Sequence, residues 1–166
     1  MKFKVGVSSV SNYTRMNYSL HYAIGELVDN SIQAYIDEKT KLNKIYKKKN
    51  KKCEIHITYD RNTNRMTVSD NSSGITYKRL EEALDVGGDI KRKDAENNLG
   101  EFNIGMKAAS IWMAEKFKII TKRFDEEIET SVLIDTNKLF LGDGDLAPGK
   151  KEKNHDEGYT KIEYEG

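Results

Sequence analysis

The spacing of apolar residues predicts a long helix near the start of the chain. Apolar and small residues recur every three or four positions from Tyr18 to Asp37, which is typical of a helix with one buried face. They are Leu20, Ala23, Ile24, Leu27, Ser31, Ala34 and Tyr35. The opposite face carries polar side chains, namely Glu26, Asn30, Gln33 and Asp37. Because so apolar a face needs a broad surface to pack on, we expect the helix to lie on a β-sheet.

Alternation of apolar and polar residues, with turn residues between the runs, predicts several strands. They cover Glu54–Tyr59, Arg65–Ser69, Lys116–Thr121, Thr130–Ile134 and Tyr159–Tyr164. Further helices are predicted at Tyr77–Leu84 and from Met106 to about Glu115, and loops at Val86–Asn98 and Leu141–Gly158. This order predicts an α+β fold, a two-layer α/β sandwich whose mixed, mostly antiparallel sheet is covered by helices on one face.

Composition and charge limit the classes of function. The chain has 166 residues, about the length of one domain, and its formal net charge is +1. That balance argues against a protein that coats nucleic acid by bulk charge. Its one cysteine, Cys53, excludes an internal disulfide and a cysteine-rich zinc site. Since no apolar run is long enough to span a membrane and no signal-peptide pattern opens the chain, we expect a cytoplasmic protein without membrane contact.

A lysine-rich stretch precedes the first predicted strand. The residues from Lys39 to Lys52 form a basic connection that ends in a run of lysines, Lys47–Lys52, interrupted only by Asn50. Such a run can contact the phosphates of DNA or RNA, or it can be a solvated connection that keeps the protein soluble. Because no aromatic residue interleaves after Tyr46, the pattern favours the solvated connection.

The polar face of the long helix carries a first candidate site. Glu26 and Asn30 are four residues apart and therefore lie one turn apart on the same face. A carboxylate can polarise a water molecule as a general base, and an amide oxygen is a ligand that Mg²⁺ accepts. Taken alone, the same residues fit a solvated helix face.

A polar loop after the second predicted strand is another candidate. Asp70 is followed by Asn71-Ser72-Ser73-Gly74, so a carboxylate stands at a strand end next to small residues. The carboxylate can accept hydrogen bonds from a flat ligand such as adenine, and small side chains let a ring approach the backbone. A plain turn would have the same composition.

A glycine-bounded segment precedes the helix predicted at Met106. In Gly100-Glu101-Phe102-Asn103-Ile104-Gly105-Met106-Lys107, backbone N–H groups at the helix start would suit a phosphate. Lys107 would add a positive charge near the last phosphate. The segment is not a P-loop, because Ala108 occupies the position where a P-loop has Ser or Thr.

Together and in this order, the segments resemble the signature motifs of one superfamily. They are AIGELVDNSIQAYI (Ala23–Ile36), VSDNSSGIT (Val68–Thr76), LGEFNIGMKAAS (Leu99–Ser110) and GYTKI (Gly158–Ile162). These are similar to the motifs of the GHKL ATPases, which share the Bergerat nucleotide-binding fold and include DNA gyrase, the large heat-shock chaperones, histidine kinases, MutL and MORC proteins. The lysine after the last glycine is most similar to MORC-type and prokaryotic heat-shock-chaperone-like ATPases.

The resemblance implies roles for the residues that match. Glu26 matches the residue that activates water, Asp29 its acidic neighbour, and Asn30 the magnesium ligand. Asp70 matches the aspartate that reads the adenine amino group, and Thr160 the threonine that supports it.

The remaining matches surround the adenine and the phosphates. Ser72 and Gly74 stand beside the adenine-reading aspartate, and the phosphate-loop positions are Gly100, Asn103, Gly105 and Lys107. Gly100, Asn103 and Gly105 lie at the end of an ATP lid of about residues 86–105, and Lys107 follows this lid. The chain departs from the family pattern at Ser72 and Asn103, where the family usually has glycine. Serine is small enough for adenine to fit, and asparagine enters the left-handed backbone region more readily than most residues.

The resemblance also implies an activity and a setting. We expect an enzyme that binds ATP with Mg²⁺ and hydrolyses it slowly to ADP, which drives a conformational switch or homodimerisation. Residues 1–166 would form a single GHKL-type domain, the N-terminal part of a longer protein with a transducer or effector domain. Two alternatives stay open: a protein kinase of the same fold, and a nucleotide-binding interaction module without turnover that contacts nucleic acid through Lys47–Lys52.

Overall fold

The computed structural model describes residues 1, 19–85, 99–141 and 143–166, with the backbone alone for residues 85, 99–105 and 140. The helices are α1 Leu20–Asp37, α2 Lys39–Lys49, α3 Tyr77–Asp85, α4 Leu99–Met113 and α5 Thr136–Phe140. The strands are β1 Ile55–Asp60, β2 Arg65–Asp70, β3 Lys116–Lys122, β4 Ile128–Asp135, β5 Gly149–Glu152 and β6 Tyr159–Glu165. Among the described helices, none is both long enough and apolar enough to cross a membrane.

The strands form one sheet in the order β1-β2-β6-β3-β4-β5, and each pairing between described strands is antiparallel. The last strand in sequence, β6, therefore lies in the middle, between β2 and β3. Its register places Thr160 opposite Asp70 on one side and opposite Thr121 on the other. Three polar residues from distant parts of the chain thus meet in one row near an end of the sheet.

Helices cover one face of this sheet. A row of apolar residues crosses four strands in register, Val68, Ile162, Ile119 and Val132, and forms the floor of the core. Above it pack Leu27 of α1, Leu80 and Leu84 of α3, and Met106 and Ile111 of α4. The opposite face carries charged pairs such as Arg65–Glu165, 2.8 Å apart. The predicted α+β sandwich is confirmed, because alternate strand residues separate an apolar face from a charged one.

The basic stretch predicted as a connection is a helix, and that prediction is wrong. In α2, Leu42 and Tyr46 are buried and form a second small core with Phe124. Their spacing of four residues places both on one side, and the lysines occupy the remainder. The helix ends at Asn50, whose positive φ of 51° is a common way to close a helix.

The predicted loop Leu141–Gly158 contains strand β5, which pairs with β4 over residues 149–152. All four of its residues are exposed. The sequence Gly-Lys-Lys-Glu has no alternation of apolar and polar residues, so its pairing comes from the neighbouring strand and not from its own pattern.

Candidate functional site

A cleft opens between α1, α4 and the row of polar residues at the end of the sheet. Leu27, Asn30, Ser31 and Ala34 of α1 line one side. Asp70, Ser72 and Thr160 supply polar groups, and apolar walls come from residues such as Met106 and Ile162. Small-molecule sites likewise combine apolar walls with a few polar groups.

The Asp70 carboxylate is the most constrained polar group of the cleft. Its side chain is 8% exposed. The Ser31 hydroxyl donates to Oδ2 at 2.7 Å, while Oδ1 accepts from the Ser72 N–H at 2.9 Å and from the Ser72 hydroxyl. An ionised carboxylate has about four acceptor positions. Three donors from the described residues therefore fix its orientation and leave one position for a ligand.

The loop that follows Asp70 is fixed by close backbone contacts. Gly74 has a φ of 68°, and a Cβ placed on it would lie 1.8 Å from the carbonyl oxygen of Lys122. Only glycine fits this conformation and this distance. The Asn71 amide anchors the other side of the loop, since it accepts from Glu54 N–H and donates to the Lys52 carbonyl, both at 2.8 Å. Gly74 therefore shapes the loop, and its predicted place beside the adenine stays a prediction.

Thr160 lines the cleft and is supported from behind by Thr121. The two hydroxyl oxygens are 3.1 Å apart. The Thr121 hydroxyl also accepts from the Ile75 N–H and donates to the Tyr159 carbonyl, each at 2.9 Å. This fully buried hydroxyl thus links the loop after Asp70 to β6. Its support of a cleft residue is a hydrogen-bond role that the sequence pattern of β3 does not indicate.

The polar residues of α1 differ in their exposure to solvent. Asn30 lines the cleft and is half-buried, whereas Glu26 and Asp29 are exposed. The Nδ2 atom of Asn30 is buried without a hydrogen-bond partner among the described residues. Glu26 is one turn, about 6 Å, nearer to the start of the helix than Asn30. Glu26 is not among the described residues that line the cleft, and its predicted contact with a water molecule stays a prediction.

These residues fit a magnesium ion that arrives with a nucleotide. No group of three or more His, Cys, Asp or Glu side chains able to hold a metal occurs in the described part of the chain. Mg²⁺ in nucleotide enzymes is typically held by one or two protein oxygens together with the substrate phosphates. The unpartnered carboxamide of Asn30 can rotate to present its oxygen, which suits such a ligand.

Helix α4 differs from the predicted phosphate loop. It begins at Leu99, seven residues before the predicted start at Met106. Gly100, Asn103 and Gly105 are therefore helical, and the prediction of exposed N–H groups at a helix start near Gly105 is wrong. A glycine costs about 1 kcal/mol inside a helix, more than helix propagation gains per added residue, so local propensity does not explain the longer helix. The other residues of the predicted lid, 86–98, lie outside the described residues.

Lys107 is 4% exposed and lies in the interior of α4. Its neighbour Met106 contacts the cleft, but Lys107 itself is not among the described residues that line it. The predicted contact of Lys107 with a phosphate therefore stays a prediction.

The lysine run is partly neutralised by acids of the loop between β5 and β6, residues 153–158, here called the β5–β6 loop. Lys49 Nζ is 2.6 Å from Asp156, and Lys51 Nζ is 2.7 Å from Glu157. The hydrogen bond from Lys51 lowers the pKa of Glu157, with Lys49 adding to the effect. Part of the run therefore serves to hold α2 against this loop, and contact with nucleic acid stays a prediction.

Comparison with known families shows to which family the chain belongs. A family model described as "Histidine kinase-, DNA gyrase B-, and HSP90-like ATPase" matches residues 18–154 of the chain. The chain belongs to this family. The match includes Glu26, Asn30, Asp70 and the segment through Lys107, and it ends before Thr160. It confirms the predicted GHKL resemblance and supports ATP binding by the domain.

A similar protein of known class also agrees with this family. The chain is 31% identical over 109 residues to the chaperone protein HtpG of Wigglesworthia glossinidia brevipalpis. The aligned part is 58% of this chain and 16% of HtpG, so the chain spans about a sixth of that relative's length. The similarity agrees with an HSP90-like ATPase domain and concerns this part of HtpG alone.

The structure brings together Asn30, Asp70, Ser72 and Thr160 in one cleft, with Glu26 and Asp29 at the surface of the same helix. Three contributors were missed from the sequence, namely Ser31, Thr121 and Lys122. Ser31 lies on the predicted buried face of α1, and a small polar side chain on such a face indicates a buried hydrogen bond.

Proposed function

We propose that this domain binds ATP and ADP with the adenine amino group on the free acceptor position of Asp70. One observation carries the proposal: a buried carboxylate, held by three donors, lines a cleft that also has apolar walls. An exocyclic amine supplies the missing donor. Guanine presents a carbonyl oxygen at the corresponding position, so two acceptors would face each other.

The walls suit the rest of a purine nucleotide. Apolar side chains from both layers, Met106 of α4 and Ile162 of β6, line the cleft beside Asp70 and can contact a flat ring. Along α1 the cleft passes from Ala34 and Ser31 to Asn30, which is the direction of Glu26. The base lies at the Asp70 end, and the phosphates extend toward Asn30.

Hydrolysis follows from the residues at the phosphate end. Mg²⁺ would neutralise phosphate charge, and the Asn30 carboxamide oxygen would hold it. Glu26 orients the attacking water and accepts its proton, while Lys107 supplies positive charge to the γ-phosphate. Contact of the Gly105 N–H with a phosphate requires the first turns of α4 to unwind. That rearrangement makes turnover slow and couples it to a change of conformation or to dimerisation.

Calorimetric titration with Mg²⁺-ADP and Mg²⁺-GDP tests the binding site. We expect saturable binding of ADP and at least about tenfold weaker binding of GDP, because GDP loses one hydrogen bond and leaves acceptors unpaired. The Asp70→Asn variant should lose at least about tenfold in ADP affinity, since its amide nitrogen would face the ligand's amine or the serine donors.

Ser31→Ala is the matched variant for this titration. It removes one of the three donors to Asp70 but keeps the carboxylate, so it should lower the ADP affinity less than Asp70→Asn does. Equal affinities for ADP and GDP, or full ADP affinity in Asp70→Asn, would contradict adenine recognition by this carboxylate.

A further inference from the structure

Lys122 is a fully buried lysine at the end of β3. Its Nζ donates to three backbone carbonyls, His155 at 2.6 Å, Glu157 at 3.1 Å and its neighbour Arg123 at 3.1 Å. A lysine ammonium has three donors and no acceptor, so these bonds use all of them. Burying such a charge is costly unless it is fully hydrogen-bonded, which this arrangement achieves.

The burial of Lys122 is not a property of its strand. Lys116, Lys118 and Lys122 alternate onto the same charged face of β3, yet Lys116 is exposed and Lys118 is half-exposed. Lys122 differs because the β5–β6 loop folds over it and offers two carbonyls. Burial lowers the pKa of Lys122, while the carboxylates of Asp156, Asp125, Glu126 and Glu127 oppose that effect.

The same residue contacts the adenine side of the cleft through its backbone. The Lys122 carbonyl lies against Gly74, at the position where any side chain on that glycine would clash. The β5–β6 loop ends at Gly158, where a Cβ would lie 2.5 Å from the Ser72 carbonyl oxygen and 2.6 Å from that of Ser73. The segment after Asp70 is thus enclosed between Lys122 on one side and Gly158 on the other.

We propose that Lys122 is a positioning residue for adenine recognition, because its side chain holds the β5–β6 loop and its backbone holds the loop that carries Ser72. The inference rests on the proposed binding of adenine at Asp70. Without the ammonium, three backbone carbonyls lose their donor, and Gly158 is no longer held against Ser72 and Ser73. Ser72 then holds the Asp70 carboxylate less well, and the cleft distinguishes adenine from guanine less well.

The test compares Lys122→Met with Lys118→Met, which changes a lysine on the same strand and the same face. ADP and GDP affinities are measured by calorimetry for both variants and the wild type. Lys122→Met should bind ADP about tenfold more weakly with little change for GDP, so the ratio of the two affinities falls about tenfold. Lys118→Met should keep both affinities. A general loss of stability would weaken both nucleotides alike and leave the ratio unchanged.

Hydrogen exchange of the ligand-free proteins provides a readout independent of nucleotide. Lys122→Met should raise the exchange of amides in residues 71–75 and 155–160 more than elsewhere, and Lys118→Met should not. If Lys122→Met does not fold, Lys122→Gln replaces it, because its amide keeps two donors without the charge.

The outcomes separate the two proposals. A wild type that binds no ADP overturns the proposed function, and hydrogen exchange then decides whether Lys122 holds the two loops. A wild type that prefers ADP, with an unchanged ADP to GDP ratio in Lys122→Met, overturns the role of Lys122 and leaves the proposed function standing. Equal exchange of these segments in the variant and the wild type also overturns it.

Discussion

We expect Glu26→Gln to hydrolyse ATP about 100- to 10,000-fold more slowly than the wild type, the range found when a general base is removed. Glutamine has nearly the same shape but cannot accept the proton of the attacking water. Glu26 is exposed and has no ion-pair partner among the described residues, so its loss should leave the fold and the ADP affinity unchanged. Release of phosphate under single-turnover conditions, with protein in excess over ATP, measures the rate even where turnover is slow.

Asp37→Asn is the matched control for Glu26→Gln. Asp37 is an exposed carboxylate on the same helix, eleven residues and about 16 Å further along, and it is distant from the phosphate end of the cleft. Its replacement should keep the rate of the wild type. A Glu26→Gln variant that hydrolyses ATP as fast as Asp37→Asn would exclude Glu26 as the base.

The largest effect on stability is expected for Gly74→Ala. The new Cβ would lie 1.8 Å from the carbonyl oxygen and 2.4 Å from the carbonyl carbon of Lys122, at a φ of 68° that residues with a Cβ rarely adopt. The atoms that would clash with this Cβ belong to the backbone of Lys122, which cannot rotate away as a side chain can. Overpacking and backbone strain together should lower the free energy of unfolding by about 3 kcal/mol or more. Chemical denaturation monitored by circular dichroism measures the change.

Gly25→Ala is expected to raise the free energy of unfolding, whereas Gly74→Ala should lower it. Gly25 lies inside α1, and a Cβ placed on it meets nothing within 4 Å. Alanine in a helix is favoured over glycine by about 0.5–1 kcal/mol, so this variant should be more stable than the wild type. A Gly74→Ala protein as stable as Gly25→Ala would show that the loop after Asp70 can move away from β3.

Much of the fold follows from local pattern. Helix α1 and strands β1, β2, β3, β4 and β6 lie within two residues of their predicted bounds, because each has a regular apolar spacing of its own. The predicted start of α1 at Tyr18 falls just outside the described residues. The grouping of Asn30, Asp70 and Thr160 also follows once the motifs are aligned in order, although their distances depend on the position of β6 in the sheet.

The wrong predictions for α2 and for the start of α4 come from residue composition. In α2 the lysines outnumber the apolar residues, and only the spacing of Leu42, Ile45 and Tyr46 indicates a helix. Gly100 and Gly105 suggested a loop before the helix, but α4 includes both. A high content of glycine or lysine favours a loop over a helix, and neighbouring residues can override this preference.

Other features depend on contacts between distant residues. Ser31 and Asp70 are 39 positions apart in sequence, and Lys122 and His155 are 33 apart. The predicted strand ends at Thr121, and β3 continues for one residue to Lys122. The pattern of β3 contains no information on the loop that later covers this end of the strand, so a surface lysine and a buried one have the same local sequence signal.

Strand β5 has a further consequence for the behaviour of the protein at high concentration. Among the described strands it is the outermost one beside β4, and a sheet edge with free backbone groups can pair with the edge of another molecule and start aggregation. Here that edge is four residues long and includes Lys150 and Lys151. Two copies approaching edge to edge would place these positive charges against each other, so repulsion opposes growth of the sheet from this side.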